Sequence, residues 1–452
     1  MINPLFFAKH VNPSLRPLGS FEHFFWLLDQ NRPVHFALAA EVQGTTEIQL
    51  WRDALKLVQR RHPLLSVRIE TNGSGRPHFR QEVETTIPLR VRQENNATRD
   101  WADEMELELS IPFDPQGAPL VRAVLLHEAD QAAFILVAHH SIADGRSIAF
   151  VIRDLLQALS GRTLDSLPLL PPHEEILGLT GNGAIRPDRL IADTHSPVAP
   201  AARLATYISK EDLRPRIKSL RLTPGLTRKL RERARQEGTT VHGAISAAVA
   251  LAAWLENPNF KHAPIRICSP IDTRKLLGLG EDCAALVDAG IVNIRPHMPV
   301  DFWDLAREST VSLSRAQTLK GVVASRSALC QALADGVDVP AAAAICAQAF
   351  AHDIMLTNLG NLPFGSDFGQ LRLDAIWGPA VSARFAGAPT IGVATTNGSL
   401  RLLETSFSAS DELLETTEEI LKTASVGPKR SLSQCSSPTQ PTVKVLPVRR
   451  SY

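Results

Sequence analysis

"ILVAHHSIADGRSIAF", residues Ile135–Phe150, is the stretch on which the reading of this chain turns. An apolar run closes on two adjacent histidines, His139 and His140. Asp144 and Gly145 follow, and a second apolar segment then begins. "AAFILVAHH" has the unbroken apolar character of a strand covered on both faces. Beyond Gly145, Ile148, Val151, Ile152, Leu155, Leu156 and Leu159 recur at helical spacing, and Gly161 ends the pattern. The polar residues therefore stand where a buried strand turns into a helix.

A neutral imidazole is a good base near pH 7, its ordinary pKa being about 6.5. Side chains alternate along a strand, so adjacent histidines point different ways and only one faces a given cleft. The other serves packing or orientation. Asp144 is placed to cap the helix or to hold a cation, and Gly145 permits a close backbone approach. On local chemistry alone, a structural reading of the histidines weighs as much as a functional one. His139, His140 and Asp144 are also acceptable metal-ligand types. Against a metal, neighbouring strand histidines diverge and no H-E-x-x-H is present.

Outward from this junction, the first 165 residues mix helices and strands. "SFEHFFWLLDQ" reads as a helix with Ser20 as its N-cap. Ile48, Trp51, Leu55 and Val58 mark a second helix, which ends before Pro63. "LLSVRIE", "PLRVRQE" and "APLVRAVLLHE" read as strands. The stretch from Thr163 to about Ala202 is rich in Pro and Gly and reads as a crossover linker. The second mixed region carries a helix capped by Thr223 with Pro224 first. An Ala-rich helix follows Thr239–Thr240, then a strand at "IRICSPID". Helices are expected at about 301–318, 326–334 and 341–350. Asn397-Gly398 reads as a hairpin turn, and a closing helix follows. The expected divisions are 1–165, a linker at 166–202, 203–426, and a disordered Ser/Pro/basic tail at 427–452. The two mixed regions resemble each other in element order, which points to an α/β chain of two similar lobes with a cleft between them.

Composition narrows the function classes. Among 452 residues, 44% are hydrophobic and 21% charged, an ordinary globular balance. The net charge of +1 gives no reason to invoke nucleic acid. Five widely spaced cysteines form no C-x-x-C pair, so a reducing, cytoplasmic setting is expected and a disulfide framework is not. No apolar run is long enough for a membrane span.

"HHSIADG" resembles the H-H-x-x-x-D-G motif of the chloramphenicol acetyltransferase-like superfamily. That group includes condensation domains, alcohol acyl- and acetyltransferases and polyketide-associated acyltransferases. "RRHPLLSVRI", "IPFDPQGAPLVRAVLL", "TTVHGAISAAVALA", "SPIDTRKLL" and "LTNLG" resemble its further segments in the right order, over about residues 15 to 425. "SDFGQLRL" departs from the plant enzymes' D-F-G-W-G at Gln370, so the plant branch fits poorly.

The resemblance implies two lobes, each a mixed sheet flanked by helices, around a tunnel. It implies His140 as general base, His139 as support, and Gly145 as part of the motif. Asp144 becomes a structural residue paired with an arginine, Arg274 by first choice and Arg61 by second. Thr357 and Asn358 become polar candidates for the cleft, and Asp367–Gly369 a structural turn. No bound cofactor or metal is implied. Acyl-CoA or a phosphopantetheine-linked acyl group would be the co-substrate and a small hydroxylated molecule the acceptor. An acyl-carrier protein or polyketide synthase would be a candidate partner; nucleic acid and membrane would not. Amide formation from a carrier-bound donor, a silent binding protein and a metal hydrolase are the competing readings.

Overall fold

The computed structural model describes residues 14–73, 75–93, 97–114, 116–179, 214–257, 260, 264–295, 301–382, 388–407 and 412–426. The tail expected at 427–452 and the later part of the linker lie outside the described residues.

In the first half, strands β1 (Ser14–Pro17), β2 (His35–Gln43), β3 (Val67–Thr71), β4 (Pro77–Gln81), β5 (Leu89–Arg92), β6 (Val121–His127) and β7 (Gln131–His139) occur with helices α1 (Ser20–Asn31), α2 (Ile48–Arg61), α3 (Trp101–Ser110) and α4 (Gly145–Leu159). A short helix, α5 (His173–Ile176), lies within the expected linker. The second half contributes β8 (Arg216–Arg221), β9 (Ile265–Asp272), β10 (Val287–Ile294), β11 (Ile354–Asn361), β12 (Asp367–Phe368), β13 (Leu371–Val381), β14 (Thr390–Thr396) and β15 (Ser399–Ser406). Its helices are α6 (Pro224–Gln236), α7 (Val241–Glu256), α8 (Arg274–Leu277), α9 (Phe302–Ala316), α10 (Leu319–Ala334), α11 (Val339–Ala349) and α12 (Leu413–Val426).

Two mixed six-stranded sheets organise these elements. The first runs β12-β13-β2-β7-β6-β5 and the second β10-β9-β11-β14-β15-β8. A small sheet, β1-β4-β3, flanks the first. This is the two-lobed α/β architecture expected from the sequence. Sheet membership does not follow chain order, however. β13 comes from the second half yet pairs antiparallel with β2, Trp377 opposite Ala39. The segment 203–426 is therefore shared between the sheets. β13 escaped sequence reading because Gly378-Pro379 interrupts its pattern and its partner strand is remote in sequence.

Both faces of the first sheet are covered, which is why β7 reads as a continuous apolar run. Trp51 and Val58 of α2 and Ile148 and Leu155 of α4 pack with Phe36, Phe134 and Leu136 on one face. Ala37, Ile135 and Val137 on the other face meet Trp101 and Met105 of α3 and Leu403 of β15. The second sheet is covered by α7, α9 and α12 through Ile245, Val249, Leu305 and Leu421. Phe21 and Phe24 of α1 pack with Leu329 and Cys346 of α10 and α11, joining the start of the chain to the second half.

Most local predictions match: Thr223 caps α6 with Pro224 first, the Ala-rich α7 follows Thr239–Thr240, with Thr240 as its cap, and Asn397 and Gly398 both take positive φ between β14 and β15. Ser20 is not the cap of α1. Gly19 is, and its N–H donates to the Glu22 carboxylate at 2.6 Å. Helix α10 begins at Leu319, well before the expected 326, behind a Thr318 cap. No single helix among the described residues is long and apolar enough to cross a membrane.

Candidate active site

β7 ends at His139, so His140 is the first residue past the strand, and the two rings meet different surroundings. His139 is fully buried. Its Nδ1 accepts the Ser141 backbone N–H at 3.1 Å, which puts the ring proton on Nε2. That Nε2 lies 3.3 Å from the Asp29 carboxylate of α1. Asp29 also accepts the Val34 N–H at 2.9 Å. Burial works to raise the Asp29 pKa, but His139 and the Val34 N–H outweigh it and leave the pKa lowered. Ser141 Oγ donates to the Glu22 carbonyl at 2.8 Å, tying the motif to α1 a second time.

The His140 ring sits between two phenyl rings. Phe25 of α1 stacks on it at 4.6 Å with 16° between planes. Phe36 of β2 covers it at 4.3 Å and 30°. Nδ1 is buried, while the residue as a whole keeps partial exposure. Burial chiefly, with His139 second, pushes its pKa down to about 4; Asp144, the Ala143 backbone and Asp29 act in the opposite direction. At neutral pH the imidazole is therefore uncharged and able to accept a proton.

Asp144 has the opposite situation. It caps α4, accepting the Ser147 N–H at 2.8 Å. Its other oxygen takes Arg274 Nη1 at 2.8 Å and the Leu286 N–H at 2.9 Å. Burial works to raise its pKa, but Arg274 and the two backbone donors outweigh it and leave the carboxylate ionised. Arg274 Nη2 further reaches Ser147 Oγ at 2.7 Å, and Ser147 Oγ donates to the Ala284 carbonyl at 2.8 Å. Residues 282–286 are thereby latched onto the start of α4. Arg61, the second-choice partner, pairs with Asp154 of α4 at 2.7 Å and not with Asp144. It projects from the end of α2, and Asp154 lies across the α2–α4 contact with His62 beside it at 2.9 Å.

Gly145 meets its expected role as a point of close approach. A Cβ there would stand 2.7 Å from Pro379 Cγ and 3.1 Å from Leu359 Cδ2. Arg146 donates to the Leu359 carbonyl at 2.8 Å, so β11 and β13 both abut the motif. Thr357 is buried on β11 opposite Gly392. Asn358 Oδ1 accepts the Gly360 N–H at 2.7 Å, a local turn contact. Asp367 does the same for Gly369 at 3.0 Å.

Among the described residues, no group of three or more His, Cys, Asp and Glu is placed to hold a metal ion. The oxygens of Asp144 and Nδ1 of His139 already have partners. Sequence reading missed Phe25, Phe36, Asp29 and Ser147. The spacing of Phe25 and Asp29, one helical turn apart in "FWLLD", is the signal that places both on one face of α1.

Two family models match this chain. One is the Condensation domain, over residues 24–174. The other is the Phthiocerol/phthiodiolone dimycocerosyl transferase C-terminus, over residues 211–278. Polyketide synthase associated protein 5 from Mycobacterium tuberculosis superposes with a TM-score of 0.65 at 17% identity, covering 92% of this chain and 99% of that one. Over these two stretches the chain resembles condensation domains and phthiocerol/phthiodiolone dimycocerosyl transferases, and it shares the fold of polyketide synthase associated protein 5. The trichothecene 15-O-acetyltransferase of Fusarium sporotrichioides has the same fold, with a TM-score of 0.65 at 12% identity over 91% of this chain and 95% of that one. Phosphinothricin tripeptide synthetase PhsC of Streptomyces viridochromogenes is 35% identical over 173 residues, 34% of this chain and 15% of that protein. The chain spans only 2% to 15% of the length of such multidomain relatives.

Proposed function

We propose that this protein transfers an acyl group from a thioester, either acyl-CoA or a phosphopantetheine-linked donor, to a hydroxyl of a small-molecule acceptor. The observation that carries this is the His140 ring: uncharged at neutral pH, packed by Phe25 and Phe36, and partly exposed in the motif whose Gly145 abuts Leu359 and Pro379 of the second half. His140 takes the acceptor's proton as its oxygen attacks the thioester carbonyl. The tetrahedral intermediate then collapses, the C–S bond breaks, and the departing thiolate takes the proton from His140. No acyl-enzyme is needed. The buried thiols support that reading. Burial pushes Cys268 and Cys346 up to about 12 and raises Cys283 too, which removes them as thiolate nucleophiles. His139, with its tautomer set by Ser141 and its Nε2 beside Asp29, is the supporting residue.

The test is to mix the purified chain with acyl-CoA and candidate alcohols and follow release of free thiol. His140→Ala should abolish it, and unchanged turnover in that variant would sink the assignment. The match of residues 24–174 to the Condensation domain favours a second reading, amide formation from a carrier-bound donor. That reading requires turnover with an amine and a carrier-linked thioester and none with free acyl-CoA. An acyl-carrier protein or polyketide synthase is the partner it implies, in a cytoplasmic setting.

A further inference from the structure

We propose that Phe25 and Phe36 are positioning residues: an aromatic clamp that holds the His140 imidazole with a single edge, Nε2, open to an incoming nucleophile. The inference rests on the reading of His140 as the base.

An imidazole ring has two flat faces and two nitrogen edges. Phe25 covers one face at 4.6 Å and near-parallel, and Phe36 covers the other at 4.3 Å. The Nδ1 edge is buried. Approach from above, below or behind is therefore blocked, and a ring flip would have to displace a phenyl group. The clamp's two jaws differ. Phe36 is fully buried in β2. Phe25 is half-buried on α1, and α1 is itself fixed to the motif by Ser141 Oγ on the Glu22 carbonyl and by Asp29 beside His139. Phe21 and Phe24 anchor the same helix to α10 and α11. Phe25 is thus held by its helix from both ends. The charged and titratable groups facing His140 are His139 on β7, Asp29 on α1 and Asp144 at the start of α4.

The experiment uses the full chain with ring-labelled histidine, followed by NMR across pH, together with thiol-release kinetics. Phe25 is the residue to change because it is half-buried, whereas Phe36 is fully buried in β2. In Phe25→Leu, water reaches the ring and the His140 midpoint should rise toward the ordinary imidazole value. kcat should fall by about tenfold or more with KM within about twofold, because aim is lost and binding is not. Phe25→Tyr, which keeps the ring, should restore both. A midpoint and kcat unmoved in Phe25→Leu, with transfer still lost in His140→Ala, would overturn the clamp alone. Transfer surviving in His140→Ala would remove the base assignment and the positioning role with it.

Discussion

His140 and Asp144 stand four residues apart at the same junction, and the protein surrounds them in opposite ways. Asp144 is met by an arginine and two backbone N–H donors. His140 is met by two phenyl rings. A buried polar group with every partner in place holds a fold together. A buried titratable group packed chiefly against aromatic rings is a candidate for chemistry instead. On the proposed function the motif divides its labour, the carboxylate joining the two halves and the imidazole serving to exchange a proton.

Exchanging each residue for alanine is the strongest way to break that comparison. His140→Ala should lower acyl transfer by about 10²–10⁴-fold, the contribution of one positioned base, and leave the unfolding midpoint close to that of the parent. Asp144→Ala should do the reverse in kind. It leaves the buried Arg274 guanidinium without its main counter-charge, at a cost of about 3–5 kcal/mol. Urea unfolding followed by fluorescence reads both. Adding Arg274→Met to Asp144→Ala should recover part of the loss, because the buried charge, left with only the half-buried Asp272 at 2.9 Å, is then gone. If Asp144→Ala unfolded no more easily than His140→Ala, the division of roles would be lost.

A finer probe sits between the two residues. Gly145→Ala puts a methyl group 2.7 Å from Pro379 Cγ and 3.1 Å from Leu359 Cδ2. Overpacking of this kind costs about 1–3 kcal/mol. The strain falls where α4, β11 and β13 meet, so transfer should drop together with stability. A fall in both would set Gly145 apart from its neighbours, each of which is expected to move one quantity. Loss of stability with full turnover would show that the junction tolerates a shift of α4 without misaligning His140.

How much of this could be read from the chain follows from the range of each interaction. Period and punctuation are local, so β7, α4, the start of α7 after Thr239–Thr240, the Thr223 and Asp144 caps and the Asn397-Gly398 turn were all legible. Membership of β13 in the first sheet was not, because it depends on pairing with β2, three hundred residues earlier in order of magnitude, and on tolerance of Gly378-Pro379 within a strand. The same divide runs through the site. The histidines and Asp144 are adjacent in sequence and announce themselves. Arg274 was preferred to Arg61 only through a resemblance, and the geometry that separates them is that Arg61 leaves α2 facing Asp154. Phe25 and Phe36 are ordinary apolar residues until folding sets a helix and a strand on either side of one imidazole.

The last test extends the comparison to the second sheet, where Glu404 on β15 combines features of both residues. It is a buried carboxylate like Asp144, yet both its oxygens lack a well-formed hydrogen bond, as does Nδ1 of His140. Lys218 stands opposite on β8. Burial, above all, pushes Glu404 up to about 7; Lys218 and Ser406 oppose the shift, and Glu415 and Glu256 add to it. The folded protein therefore keeps this proton to a higher pH than the unfolded chain, whose carboxyl titrates near 4.5. Stability from this group is complete below about 4.5 and is lost progressively as pH rises through about 7. Glu404→Gln, which resembles the protonated acid, should leave the urea midpoint unchanged near pH 4.5 and raise it modestly at pH 8. An equal shift at both pH values would mean that the carboxylate finds adequate partners when ionised. Glu404 would then belong with Asp144 as a satisfied structural charge, and burial alone would not separate the working residue from the supporting one.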